Sequence, residues 1–204
     1  MKDYLSFSID ARECKLQVDN FATLLSSADN LSERDDLLRF FQEHHHLSAL
    51  IGTFFPYVGK PNRLAFEYNL FGDFICDIAV GDTVSQQYGF IELEDASSNS
   101  VFVDKKRTAP YWSPRFEQGY SQVIDWFWKL QDMSSTKEFV HRFGTGYIKY
   151  EGMLVVGRDQ FLDTRAQQRL AWRQDRLLVD SKRIYILTYD ELLRQLQYKL
   201  TAYF

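Results

Sequence analysis

Apolar and polar residues alternate along the chain with two different periods, and each change of period marks an element. Over residues 1–20, Tyr4, Phe7, Ile9, Leu16 and Val18 are interleaved with polar residues, which predicts one or two short strands or an extended arm. Asp29-Asn30-Leu31-Ser32 predicts a helix start, with Glu33 and Asp35 in a first turn where the helix dipole favours acids. Leu37, Leu38, Phe40 and Phe41 carry that helix to about His46. Pro56 and Gly59-Lys60-Pro61-Asn62 break the pattern, and strands follow at 64–70, 73–80 and 88–94. Residues 95–115 read as a loop and 116–133 as an amphipathic helix with Tyr120, Val123, Ile124 and Phe127 on one face. A strand at 148–156, a charged helix at 164–176, a strand at 184–188 and a helix at 189–200 complete the chain. The order predicts a mixed α/β layered domain over 29–204, preceded by an arm or short strands over 1–28.

Composition narrows the class. Hydrophobic residues make up 45% of the 204 residues, enough for a sizeable core. No apolar run is long enough for a membrane helix, and the first residues lack the pattern of a signal peptide, so a cytoplasmic protein is expected. Cys14 and Cys76 are expected to be reduced, buried thiols. The net charge of −4 conceals an asymmetry. Residues 1–102 carry seven basic and sixteen acidic side chains, and residues 103–204 carry seventeen and twelve. Carboxylates for cations beside a basic surface for phosphates would suit a metal-dependent phosphodiesterase.

Residues 73–94 carry the chemistry. Phe74, Cys76, Ile78 and Val80 alternate with Asp73 and Asp77, while Ile91 and Leu93 alternate with Glu92 and Glu94. A hairpin turning between Val84 and Ser85 sets Cys76 opposite Leu93, Ile78 opposite Ile91 and Asp77 opposite Glu92. Opposed carboxylates on a sheet sit ~5 Å apart and repel. A divalent cation between them, Mg²⁺ or Mn²⁺, would remove that repulsion and could activate water against a phosphodiester. Ordinary acids on a solvent-facing sheet are the other reading.

Asp77 followed by Ile91-Glu92-Leu93-Glu94 resembles the PD-(D/E)XK nuclease pattern, an acid on one strand and acid–x–lysine on the next. Asp36-Leu37-Leu38-Arg39-Phe40-Phe41-Gln42-Glu43 resembles a helix of the Shedu anti-phage family. Gly119-Tyr120-Ser121-Gln122-Val123-Ile124-Asp125-Trp126 resembles that family's glutamine-bearing helix. The stretches 154–158 and 184–193 resemble its closing strand and final strand–helix. The resemblance implies a restriction-endonuclease-like mixed central sheet flanked by helices, acting on DNA in anti-phage defence and assembling as a homo-oligomer. It implies Asp77 and Glu92 as metal ligands, Gln122 as a supporting residue, and Asp36, with Glu33 as substitute, as a helix acid. Glu94 departs from the pattern, standing where the family has lysine. It would extend the site as a ligand or base, with Lys105, Lys106 or Lys149 replacing the lost charge. A catalytically silent DNA-binding or assembly scaffold is the alternative.

Lys105-Lys106-Arg107, in the loop after the acidic strands, is a candidate DNA-phosphate contact. His44-His45-His46 cannot converge on one ion from adjacent helical positions and reads as a helix end. Among Tyr111, Trp112, Phe116, Trp126 and Trp128, packing is the expected role, with Trp112 the candidate for base stacking.

Overall fold

The computed structural model describes residues 3–103 and 109–203. Lys105, Lys106 and Arg107 lie outside these residues. Strand β1 (Leu5–Ser6) is followed by helix α1 (Ala11–Ser27), where the pattern had pointed to short strands or an arm. Cys14, Val18, Phe21 and Leu25 form a buried stripe at helical spacing, whereas Leu16, which had suggested alternation with Val18, is 55% exposed. Asp10 caps the helix, accepting from the N–H groups of Arg12 and Glu13 at 2.9 and 3.0 Å.

The helix predicted from Ser32 begins as a π-helical turn (Glu33–Leu38), in which the Leu37 N–H reaches back five residues to the Ser32 carbonyl at 3.1 Å. It runs on as α2 (Arg39–Glu43) and, beyond a break at His44, α3 (His45–Leu50). The helix end expected at the histidines falls at His44, while His45 and His46 open α3. His44 Nδ1 lies 2.7 Å from the Phe40 carbonyl, and His46 Nδ1 accepts the Asp10 N–H at 3.1 Å.

Three antiparallel strands follow: β2 (Arg63–Leu70), β3 (Phe74–Asp82) and β4 (Gln87–Leu93). A small pair, β5 (Phe102–Val103) and β6 (Tyr111–Trp112), precedes helices α4 (Pro114–Asp132) and α5 (Lys137–Phe143). Then come β7 (Lys149–Val155), α6 (Thr164–Arg176), β8 (Leu178–Val179), β9 (Lys182–Leu187) and α7 (Tyr189–Tyr203). The sheet order is β1-β2-β3-β4-β7-β9-β8. Strands β4, β7 and β9 are parallel and the flanking strands antiparallel, so the central sheet is mixed, as the family resemblance implied. Helices α1, α2, α3 and α7 bury their apolar residues with Ile78, Val80, Ile91 and Leu93 on one face. Helices α4, α5 and α6 cover the other face with Ala79, Phe90 and Leu154. Among the described residues, no helix is long and apolar enough to cross a membrane. Both cysteines are buried free thiols.

One irregularity bears on function. In β2, Leu64 and Phe66 belong to the first face, but Tyr68 and Leu70 to the second. In β3, Phe74 and Cys76 belong to the second face, and Ile78 and Val80 to the first. Side chains two apart normally share a face. The exchange occurs at Glu67, held at φ 46°, and at its partner position Asp77, both skipped by the β2–β3 ladder.

Candidate active site

The acids gather at the carboxyl ends of the parallel strands, the place where open α/β sheets present their crevices. Ile78 pairs with Ile91 as predicted, and the β3–β4 ladder ends there. The predicted apolar pairing of Cys76 with Leu93 does not form, because the face exchange sends Cys76 to the opposite core. Instead of continuing the ladder, Leu93 donates its N–H to Asp77 Oδ2 at 2.8 Å. The next register position would have set Asp77 squarely against Glu92, and the splayed strand end replaces that flat pairing.

Glu92 and Glu94 are only 7% and 4% exposed. Their neighbours Ile91 and Leu93 point into the α1/α7 core, so the two glutamates face α4, where the Gly119 position lies against Glu94. A Cβ at Gly119 would come within 3.0 Å of Glu94 Oε1 and 2.8 Å of Leu154 Cδ1, which is why a glycine stands there. Among the described residues, the Glu92 carboxyl accepts no hydrogen bond and pairs with no cation. Burial, then the charges of Asp77, Glu94 and Glu33, push its pKa well above the usual carboxylate range. Burial raises Asp77 to about 7 against the Leu93 hydrogen bond, and raises Glu94 to about 7 against its pairing with Arg115.

Arg115 is the residue the sequence reasoning missed. From the first turn of α4 its Nη1 lies 2.9 Å from Glu94 Oε2 and 3.1 Å from Glu33 Oε2, and its Nε 3.1 Å from Asp95 Oδ2. Three carboxylates thus share one guanidinium. A cation in the first turn of a helix opposes the dipole. Ser113 and Pro114 mark that turn in the sequence, so an arginine there was the readable signal. Lys149, a proposed replacement for the lysine, sits at the other end of the sheet. It pairs in register with Gln87, five residues or about 17 Å from Glu92 along the strand, with its ammonium 5.3 Å from the Tyr57 ring.

Of the two helix acids, Glu33 reaches the centre and Asp36 does not. Asp36 is exposed and turns back on its own helix start, accepting the Ser32 N–H at 2.8 Å and hydroxyl at 2.7 Å. Gln122 lies on α4 with a buried Oε1 that accepts no hydrogen bond. Trp112 stacks between Phe102 and Phe116, at 4.5 Å from each ring, with Arg169 and Arg173 over it. It is a packing residue in this arrangement.

Among the described residues, no group of three or more His, Cys, Asp or Glu side chains is arranged to hold a metal ion. Two acids have the donor chemistry for one. Mg²⁺ is commonly held through one or two carboxylates and keeps the rest of its shell as water. Asp77 and the unpartnered Glu92 fit that requirement, while Glu94 is taken by Arg115.

The model of the family described as Shedu protein SduA, C-terminal, matches residues 30–193, which spans the sheet from β2 to β9 and leaves β1 and α1 outside. No curated protein matches the chain.

Proposed function

The chain belongs to the Shedu protein SduA C-terminal family, which points to anti-phage defence, and we propose that it acts there as a metal-dependent DNA endonuclease on a restriction-endonuclease-like, PD-(D/E)XK fold. The Glu92 carboxyl carries this reading. Glu92 is 7% exposed, and among the described residues its carboxyl is unpaired and feels the charges of Asp77, Glu94 and Glu33. An uncompensated buried charge is strongly destabilising, so such a group either keeps a proton or meets a cation.

Asp77 and Glu92 would hold the ion, Mg²⁺ or Mn²⁺. Once bound, it would supply an activated water and neutralise charge developing on a phosphodiester. The protein's residues have separable tasks. The Leu93 N–H fixes the direction of Asp77. Glu94 and Glu33 hold Arg115. The buried Oε1 of Gln122 accepts no hydrogen bond among the described residues. Its place on the glutamine-bearing helix supports a role beside the substrate or its water. Self-association is part of the same reading, and light scattering on the purified chain tests it.

The ion pair at Glu94 favours a second reading. With Arg115 already compensating three acids, a catalytically silent DNA-binding or assembly scaffold would keep the same centre. Plasmid nicking in Mg²⁺, Mn²⁺ and EDTA separates the two, with Asp77→Asn and Glu92→Gln as controls. Metal-dependent nicking that both substitutions abolish supports the nuclease. Nicking untouched by either removes the site, and DNA retention without nicking in any ion supports the scaffold.

A further inference from the structure

Position 94 holds a glutamate, so the centre has no cation of its own on the strand where the nuclease pattern would put one. A phosphodiester arriving there would meet Glu33, Asp77, Glu92, Glu94 and Asp95. One divalent ion offsets part of that charge, and a further cation near the phosphate is an electrostatic necessity. The candidate cations differ sharply in availability. Lys149 is at the far end of the strands. Arg173 is bound bidentately to Glu117 at 2.6 and 2.8 Å, and its Nε is buried. Arg169 lies over Phe102 and donates to the Pro110 carbonyl at 2.8 Å. Arg34 lies near enough to act on Asp77 but forms no ion pair with it among the described residues, so Arg115 alone among these touches the acids of the centre.

Its geometry also leaves something over. Nε and Nη1 are engaged by Asp95, Glu94 and Glu33. Among the described residues Nη2 donates no hydrogen bond, and the side chain is 42% exposed. A guanidinium is a rigid planar fork, so fixing Nε and Nη1 also fixes where Nη2 points. The holding carboxylates sit on two separate segments: Glu33 on the π-helical turn, and Glu94 and Asp95 in the two residues that follow β4. The guanidinium stands at the opening of a 19-residue helix, where the dipole favours anions.

We propose that Arg115, held by Glu33, Glu94 and Asp95, is the phosphate-binding cation of this centre and takes over through Nη2 the charge-offsetting task of the lysine absent at position 94. The inference rests on the endonuclease reading for its role in cleavage, but not for its prediction of DNA affinity. Glu94 is then the anchor of the cation that replaces the lysine. Its own charge is spent on positioning.

The test uses the full chain and three variants: Arg115→Gln, Arg115→Lys and the double Glu94→Gln/Arg115→Gln. Affinity for a fluorescent DNA duplex is measured by anisotropy in EDTA, cleavage by single-turnover plasmid nicking, ion loading by Mn²⁺ calorimetry, and folding by thermal melts. Arg115→Gln is expected to bind duplex about five- to tenfold more weakly and to cut about a hundredfold more slowly, while still taking up Mn²⁺. Arg115→Lys is expected to recover affinity in part, because an ammonium cannot hold three carboxylates and present a directed donor together. The double variant removes the buried charge that Arg115→Gln leaves unpaired, so it folds even where the single variant fails. It is expected to stay as defective as the single variant. Full recovery of affinity and cutting in the double variant overturns the inference, because Arg115 would then only have neutralised Glu94. Wild-type affinity and cutting in Arg115→Gln, with Glu92→Gln inactive, overturns it and leaves the endonuclease standing. If the wild type cuts with no ion, the endonuclease reading falls. The anisotropy series then decides on Arg115 by itself, with unchanged affinity overturning the inference.

Discussion

Two clusters of buried charge lie at the same end of the sheet and are built in opposite ways. After β7, Arg158 is 7% exposed and holds Asp190 through Nε at 2.9 and 3.1 Å and through Nη2 at 3.0 Å. Its Nη1 donates to the Ala28 carbonyl at 3.2 Å, and the Asp159 N–H gives Asp190 a further bond at 2.8 Å. One cation meets one chief anion, and the guanidinium's directions are spent. After β4, three carboxylates share one guanidinium, a buried carboxyl near them has no partner among the described residues, and Nη2 of the guanidinium donates no hydrogen bond there. The balanced cluster fastens the loops after β7 and β9 to the end of α1. The unbalanced one is completed only from outside, by protons or by ions.

The largest expected effect that sharpens this contrast is Glu92→Gln. Nicking in Mn²⁺ should fall by about a thousandfold or more, on the scale of losing a metal's contribution to catalysis. The metal-free melting temperature should hold or rise, because glutamine keeps the neutral form that burial already favours at Glu92. A marked loss of stability would put Glu92 in the same class as Arg158. Next is Arg158→Ala, which strands Asp190 and should cost about 3–5 kcal/mol in denaturant unfolding. Nicking per folded molecule should be kept, and its loss would erase the distinction between the clusters.

The third effect is pH dependence. Burial raises Asp77 and Glu94 to about 7 in the folded protein and lifts Glu92 well above the usual carboxylate range, against about 4 unfolded. Raised folded values mean stability that is full below the unfolded range and lost as pH climbs through 7. The metal-free melting temperature should therefore decline from pH 5 to 8. Ion binding expels those protons, so the gain from Mg²⁺ should be larger at pH 8 than at pH 6. Equal gains at both would uncouple the acids from the ion. The smallest effect is Asp36→Ala, about 1 kcal/mol from the lost helix-start contacts with Ser32, with Mn²⁺ affinity unchanged. Weakened ion binding there would return Asp36 to the centre.

What the sequence made legible follows from range. Helix α6 runs over the predicted 164–176, and the turn after β3 sets Ile78 against Ile91 as expected, because period and turn are local properties. Helix α1 was hidden by Leu16, an exposed apolar residue whose position next to Val18 mimics alternation. The acids of β3 and β4 could be read from alternation, but the exchange at Glu67 could not, because a positive φ at a non-glycine residue has no sequence signature. Glu33 and Asp36 trade their expected roles because the first turn is π rather than α, which changes the side-chain rotation between them. Arg115 reaches Glu94 across 21 residues and Glu33 across 82, contacts that only the folded chain defines.

The half-turn at Glu67 has a consequence beyond topology. Asp77 sits at the crossing point of a twisted ribbon, so its direction is inherited from a backbone angle on the neighbouring strand. The aim of an acid and its identity are therefore separately heritable. Changes at Glu67, whose own charge also raises Asp77, would re-point that acid and alter the field around it while leaving its identity untouched.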